Sequence, residues 1–345
     1  MIQSLLKGPS GFTYPYTIEQ SCRFDEASQT ALYRTNQTPT NNKIWTFSTW
    51  LKPSLPSGFI ASSYDGATDQ SRISMDGDDK ILVGDYTGSW NPFIPTLAVY
   101  RDVSSWYHIL VVANSTEGTA TDRMKIYVNG VLQDIDTGGL YNAVDLNHAF
   151  LFNTDTKTQH IGTIDIGAAS GNFINGYFAE TIFVDGQALT ISDFGISQNG
   201  IWVPIEYVGT YGDNGFYLDY SNSSHFGEDQ SGNNNDFTDS GLATNDQVED
   251  SPTNNWCTLN PTVLASGSTY SNGNLVLDIT VAGLVGGVST MPLTSGKYYC
   301  EATITAIGAG LLIGLYPVST KFDGTQIIYE NPNTVSYQLR HLLSK

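Results

Sequence analysis

In Arg123-Met124-Lys125-Ile126-Tyr127-Val128, the residues Met124, Ile126 and Val128 fall on one side of an extended chain, and Arg123, Lys125 and Tyr127 on the other. That period of two marks a half-buried strand. Asn129-Gly130 follows at once, before Val131-Leu132. Asn-Gly supplies the two positive φ angles of a type I′ turn, so the spacing predicts a tight hairpin here. Short apolar runs alternate with turn clusters in the same way from Gln20 onward. They predict strands at Ile44–Leu51, Lys80–Gly84, Thr96–Tyr100, Tyr107–Ala113, Arg123–Val128, His160–Ile166 and Gly176–Val184. Only Leu189–Phe194 and the tail Gln338–Leu343 read as helical, a turn or two each. Without βαβ alternation a nucleotide-binding parallel sheet is excluded, and the expected class is all-β.

Charge narrows the partners. The chain carries 15 Lys+Arg against 34 Asp+Glu, a formal net charge of −19, which repels phosphate backbones and anionic lipid and leaves no nucleic-acid partner. Aromatic residues at 12% supply a sizeable core. Cys22, Cys257 and Cys300 form no CxxC pair, so neither a zinc site nor a disulfide scaffold is expected. The start Met1–Pro9 breaks at Gly8-Pro9 before a signal-peptide core develops, and no run reaches the ~20 apolar residues that span a bilayer. The expectation is a protein made in a cytoplasm and not inserted in a membrane.

Residues 1–20, interrupted by Gly8, Pro9, Gly11 and Pro15, read as an N-terminal arm, and residues 21–206 hold the strand-rich region. Residues 207–260 read as an Asn/Asp-rich connector with one strand at Gly215–Tyr220. Strand patterning resumes at Leu275–Ile279, Tyr298–Ile304 and Leu311–Leu315, which makes 261–345 a second, smaller module.

Particular segments look familiar. Trp45-Thr46-Phe47-Ser48-Thr49-Trp50-Leu51-Lys52 resembles the early strand of laminin G-like domains, members of the concanavalin A-like sandwich superfamily. Trp106–Val112 with Lys125–Gly130 is similar to their paired central strands, and Gly176–Leu189 to their closing strand. The resemblance implies a concanavalin A-like, laminin G-like antiparallel β-sandwich of jelly-roll type over 21–206. A narrower resemblance covers Gly215–Tyr220, Asp229–Thr238 and Asp250–Trp256, which are similar to a block in tailed-phage virion proteins of marine-phage type. There the sandwich is followed by a SPRY-like module, whose opening Tyr270–Leu275 and Ser295–Glu301 resemble. The chain stops short of a full module, so 261–345 is expected to be a partial one. The likeness implies a virion-surface protein, a tail fibre or other appendage, with other virion proteins and a host-cell glycan as partners. Open sheet edges in a partial module favour a homo-oligomer, a trimer above all.

The chemistry points to binding rather than catalysis. Sandwich glucanases place Glu-x-Asp-x-Glu on one strand, and no glutamate here starts such a run. None of the five histidines is followed by Glu, which removes the His-Glu-x-x-His zinc site. The loop Asp85–Phe93 offers aromatic and amide groups together, so Tyr86, Trp90, Asn91 and Phe93 form a candidate glycan platform; Trp90 is equally readable as a plug over the sandwich edge. Calcium is the candidate ion, through Asp229, Ser231, Asn233 and Asp236, whose hard oxygens share one tight loop. The competing reading has these side chains capping turns. A second acidic loop, Asp76–Asp79, reads as a hairpin turn. Trp45, Trp50 and Trp106 belong to the core, Trp256 to a linker anchor, and His108 to its strand as a structural, hydrogen-bonded group. The functional expectation is non-catalytic adhesion to host glycans. The rivals are an architectural capsid or tail component with only protein–protein contacts, and a polysaccharide depolymerase.

Overall fold

The Asn129-Gly130 turn has φ of +48 and +75, and it joins strands that pair Val128 with Val131. The computed structural model describes residues 13–64, 69–165, 173–262, 268–280, 286–293, 298–306, 311–315 and 335–339. These fall into two units, one ending at Asn255 and the other beginning at Trp256.

The first unit is built around two large antiparallel sheets. Its strands in chain order are β1 (Ser21–Phe24), β2 (Ala31–Thr35), β3 (Ile44–Leu55), β4 (Gly58–Tyr64), β5 (Gln70–Met75) and β6 (Ile81–Tyr86). Then come β7 (Trp90–Pro95), β8 (Tyr107–Asn114), β9 (Met124–Val128), β10 (Val131–Leu132), β11 (Thr158–Ile161) and β12 (Asn175–Asp185). The last are β13 (Gly195–Gln198), β14 (Ile201–Pro204), β15 (Phe216–Leu218), β16 (Thr238–Ser240) and β17 (Gln247–Val248). An eight-stranded sheet runs β10-β9-β8-β3-β12-β1-β17, with β15 also on β12, and a seven-stranded sheet runs β16-β2-β11-β4-β5-β6-β7. Strands β13 and β14 pair as a separate hairpin. Apolar side chains from alternate positions of both sheets meet between them. Trp45, Phe47, Ile109, Val111 and Phe183 come from one sheet, and Leu32, Ile73, Val83, Ile94 and Ile161 from the other.

The eight-stranded sheet is buried on its second face as well. Trp50, Trp106 and Tyr177 pack there with Tyr16 and Ile18 of the N-terminal segment and Trp202 of β14. Beside them Leu110, Val112, Ile182 and Val184 pack with Phe194, Tyr207 and Tyr211. Residues 13–20 are therefore not a free arm, because Tyr16 and Ile18 close an apolar face that water would otherwise meet.

The structure corrects further expectations. Residues 207–255 are not a connector: β15, β16 and β17 pair with β12, β2 and β1. β15 falls within the strand expected at Gly215–Tyr220, while β16 and β17, with three and two residues, are too short to show a period. The strand expected at Thr96–Tyr100 is displaced to Trp90–Pro95. Thr96 turns the chain by donating from Oγ1 to the Ala98 carbonyl, while Leu97 and Val99 are exposed. Pro92 and Pro95 are accommodated in β7 because it is an edge strand, where a missing N–H leaves no ladder partner unsatisfied. The helix expected at Leu189–Phe194 is a single 3₁₀ turn, Ile191–Asp193, with Thr190 and Asp193 in a capping box.

In the second unit, β18 (Ser268–Ser271) and β19 (Val276–Ile279) form a hairpin, and β20 (Leu311–Leu315) pairs with β21 (Val335–Leu339). The Tyr298–Ile304 stretch has no regular structure. Gln338 and Leu339 lie in β21 rather than in a helix, and residues 340–343 of that expectation lie outside the described residues.

Candidate functional site

Strand register lays one row of side chains across the outer face of the seven-stranded sheet. Tyr33 pairs with His160, His160 with Ser62, Ser62 with Arg72, Arg72 with Gly84, and Gly84 with Phe93. The adjacent row, Leu32, Ile161, Ala61, Ile73, Val83 and Ile94, points into the core. Period-two alternation therefore dictates that the first row faces away from it.

Trp90 starts β7 and lies back over this face rather than projecting from a loop. Gly84 makes room for it: a Cβ there would sit 3.0 Å from Trp90 Cζ3. The indole meets Tyr86 and Phe93 edge-on, each at 5.1 Å between ring centroids. The Arg72 guanidinium stacks 4.4 Å from the Trp90 centroid, with Phe93 at 5.8 Å and Phe59 at 5.7 Å. Tyr86, Trp90 and Phe93 are half-buried, and the exposed Thr87, Gly88 and Ser89 border them. Such a surface can receive a flat, CH-rich ligand face on its rings while polar groups at the rim bind hydroxyls.

Three of the expected platform residues thus come together, and the fourth does not. Asn91 Nδ2 donates to Asp145 Oδ2 at 2.8 Å, and Asn91 Oδ1 accepts from the Asp145 N–H at 3.2 Å. Its amide fastens the hairpin to the 142–145 segment. Arg72 escaped the sequence reading, although Ile73 and Met75 facing inward on Gln70–Met75 already place it outward. At the far end of the row His160 is buried and stacks on Tyr33 at 6.4 Å. Burial pushes its pKa down to about 4, against the pull of Asp165.

In the candidate calcium loop the protein's own donors engage the carboxylates. Asp229 accepts four hydrogen bonds: Oδ1 from the N–H groups of Tyr217 and Ser231, and Oδ2 from Ser231 Oγ and the Asn235 N–H. Asp236 accepts from the Asp229 N–H. Asn233 turns its Nδ2 donor on the carbonyls of Gly212 and Gly215. These oxygens are committed to donors within the protein, the turn-capping arrangement, and no metal-binding group of acidic, His or Cys side chains occurs among the described residues. Asp76 likewise accepts from the Asp78 and Lys80 N–H groups, inside the β5–β6 hairpin.

His108 and Glu180 are among the ionisable groups buried on the other sheet. His108 Nδ1 accepts from Trp202 Nε1 at 3.0 Å, which leaves Nε2 protonated and donating to Ser48 Oγ at 2.9 Å. Burial pushes its pKa down to about 3 and holds the ring neutral. Glu180 sits where β12 exchanges its edge partner, β1 pairing up to Phe178 and β15 from Thr181. The exchange coincides with a bulge against β3, and Glu180 takes a φ of +46. Tyr16 and Tyr217 both donate their hydroxyls to Glu180 Oε1, the latter at 2.7 Å. Burial raises its pKa to about 7 despite those two donors, with Asp219 and Glu206 adding to the rise. Sequence spacing gave no sign of this, because a lone glutamate in a strand pattern reads as an ordinary outward residue.

Residues 25–190 match the laminin G model described as the concanavalin A-like lectin/glucanases superfamily. No curated protein matches the chain. Among solved structures, a heptameric SAP-like pentraxin of Limulus polyphemus is 19% identical, with 51% of this chain and 80% of that one covered and a TM-score of 0.38. A candidate carbohydrate-binding protein of Bacteroides ovatus is 16% identical over 66% of this chain and 58% of that one, TM-score 0.42. The enzymatically active domain of tailspike protein 2 from bacteriophage CBA120 is 13% identical over 56% and 29%, TM-score 0.35. Two packed antiparallel sheets, with a family-model match that runs from just after β1 to beyond β12, give the sandwich a concanavalin A-like, laminin G-like fold.

Proposed function

We propose that this protein is a surface component of a phage virion, a tail fibre or similar appendage, that binds host-cell glycans without cleaving them. The observation that carries the binding part is the Tyr86–Trp90–Phe93 cluster laid on the outer face of the seven-stranded sheet. The matched superfamily, described by its lectins and glucanases, supports a saccharide as ligand. The buried carboxyl of raised pKa, Glu180, belongs to the opposite sheet beneath Tyr16, which favours a binding role for the aromatic surface. Residues 261–345 are read as SPRY-like, and a homotrimer would multiply weak single-site affinity by multivalent display.

Glycan-array binding followed by calorimetry tests this reading, with wild type compared to Trp90→Ala. The variant should bind at least tenfold more weakly while keeping its melting temperature within a few degrees. Undiminished binding by the variant removes the platform, and release of reducing ends from a bound polysaccharide removes the non-catalytic role.

One observation favours the architectural alternative. Val131 and Leu132 on β10, at the edge of the eight-stranded sheet, are exposed, as is Leu97, whose N–H is held by the Asp134 carbonyl. Apolar side chains at an edge suit a protein contact. On that reading Val131→Asp with Leu132→Asp blocks particle assembly, and Trp90→Ala leaves host adsorption intact.

A further inference from the structure

Cations are scarce in this chain and are generally matched. Arg23 pairs with Asp246 at 2.6 Å, Lys52 with Asp250 at 2.7 Å, Lys80 with Asp136 at 2.6 Å, and Arg101 with Asp79. Arg34 donates to Gln159 and Asn214, and Arg123 to three backbone carbonyls. Arg72 is different. Among the described residues it has no ion-pair partner and donates no hydrogen bond, and its Nε is buried without a partner. Its ring neighbours are Trp90, Phe93 and Phe59, and Asp76, whose Oδ1 is taken by the Asp78 and Lys80 N–H groups, acts on its charge without pairing with it. It stands in the middle of the outer row, between Ser62 and Gly84, on a protein whose acids outnumber its bases 34 to 15.

Stacking on an indole fixes the plane of a guanidinium but uses none of its N–H groups. Those donors stay uncommitted, in the fork that matches a planar oxyanion. A desolvated cation with unused donors is costly alone and becomes favourable once an anion meets it.

We propose that the sheet-face site takes an acidic saccharide, with Arg72 receiving the oxyanion group of a sugar stacked on Trp90. This rests on the glycan-binding reading above and assigns its ligand class. Global charge works against such a ligand at long range, whereas the Arg72 contact acts at a few ångströms, inside the Debye length of about 8 Å at physiological salt. Raising salt from 20 to 150 mM is therefore expected to strengthen binding of the acidic ligand.

The test uses the full chain and matched pairs of oligosaccharides: oligogalacturonate and its methyl ester, oligomannuronate and its methyl ester, sialyllactose and lactose. A sulfated galactan paired with its desulfated form separates sulfate from carboxylate. For at least one pair at 150 mM salt, wild type should prefer the acidic member tenfold or more. That ratio should collapse to near one in Arg72→Gln and fall between the two in Arg72→Lys, which keeps the charge without the fork. Equal binding of acidic and neutral members by wild type overturns the proposal and leaves the glycan reading standing, as does a preference that survives Arg72→Gln. No binding of any member overturns the glycan reading and this one with it.

Discussion

Replacing Glu180 by Gln perturbs a single proton. The carboxyl is raised from 4.5 to about 7, mainly by burial and further by Asp219 and Glu206, while the Tyr16 and Tyr217 hydroxyls oppose the rise. In the unfolded chain the same group titrates near 4.5, so below that pH it is neutral in both states and costs nothing. As pH climbs through the window from 4.5 to 7, the unfolded form ionises first and native stability falls. Above 7 the loss is complete, and at 1.36 kcal/mol per pKa unit it amounts to about 3 kcal/mol. Glutamine is neutral throughout and retains an oxygen for both tyrosines. Glu180→Gln should therefore match wild type near pH 4 and exceed it by about 3 kcal/mol at pH 8, roughly 6–12 °C in melting temperature for a domain of this size. Urea titrations of both proteins from pH 4 to 8 read the difference directly and cancel contributions from every other group. A difference that stays constant across that range refutes the account of Glu180 as a neutral, buried acid.

Further outcomes are expected. Gly84→Val places a side chain where Trp90 Cζ3 would be 3.0 Å away, so it should lift the indole, weaken glycan binding at least tenfold in calorimetry and cost about 1–3 kcal/mol in urea melts. His108 is held at about 3 against 6.5 when unfolded; its contribution is complete above pH 6.5 and is lost as pH falls toward 3. Stability should accordingly drop by about 3 kcal/mol between pH 7 and 4 on its account, and His108→Gln should flatten that slope in denaturant titrations. Because Asp229 already accepts four hydrogen bonds, EDTA should leave the melting temperature unchanged, whereas Asp229→Ala should lower stability by about 3 kcal/mol. A calcium-dependent rise of several degrees in scanning calorimetry would instead place a metal in that loop.

What the sequence made legible was what is local. Met124, Ile126 and Val128 alternate with polar neighbours beside an Asn-Gly turn, and the hairpin forms there. Strand β7 was hidden because Pro92 and Pro95 read as loop residues until their edge position is known. Strand β15 lies inside the expected strand Gly215–Tyr220, whereas β16 and β17 were hidden because three and two residues are too few to show an apolar period. Tyr86, Trp90 and Phe93 could be picked out as a cluster because they are close in sequence. Arg72 joins them only through the pairing of β5 with β6, and Asn91 leaves them through a partner 54 positions away.

The return of residues 207–255 to both layers bears on where the gene can be cut. The family match ends at residue 190, yet β16 shields one margin of the seven-stranded sheet and β17 one margin of the eight-stranded sheet. A recombinant fragment stopped at residue 206 would leave β2 and β1 with unpaired backbone facing solvent, a template for clumping with its own kind. The shortest fragment to express for crystallisation or binding work runs through Asn255.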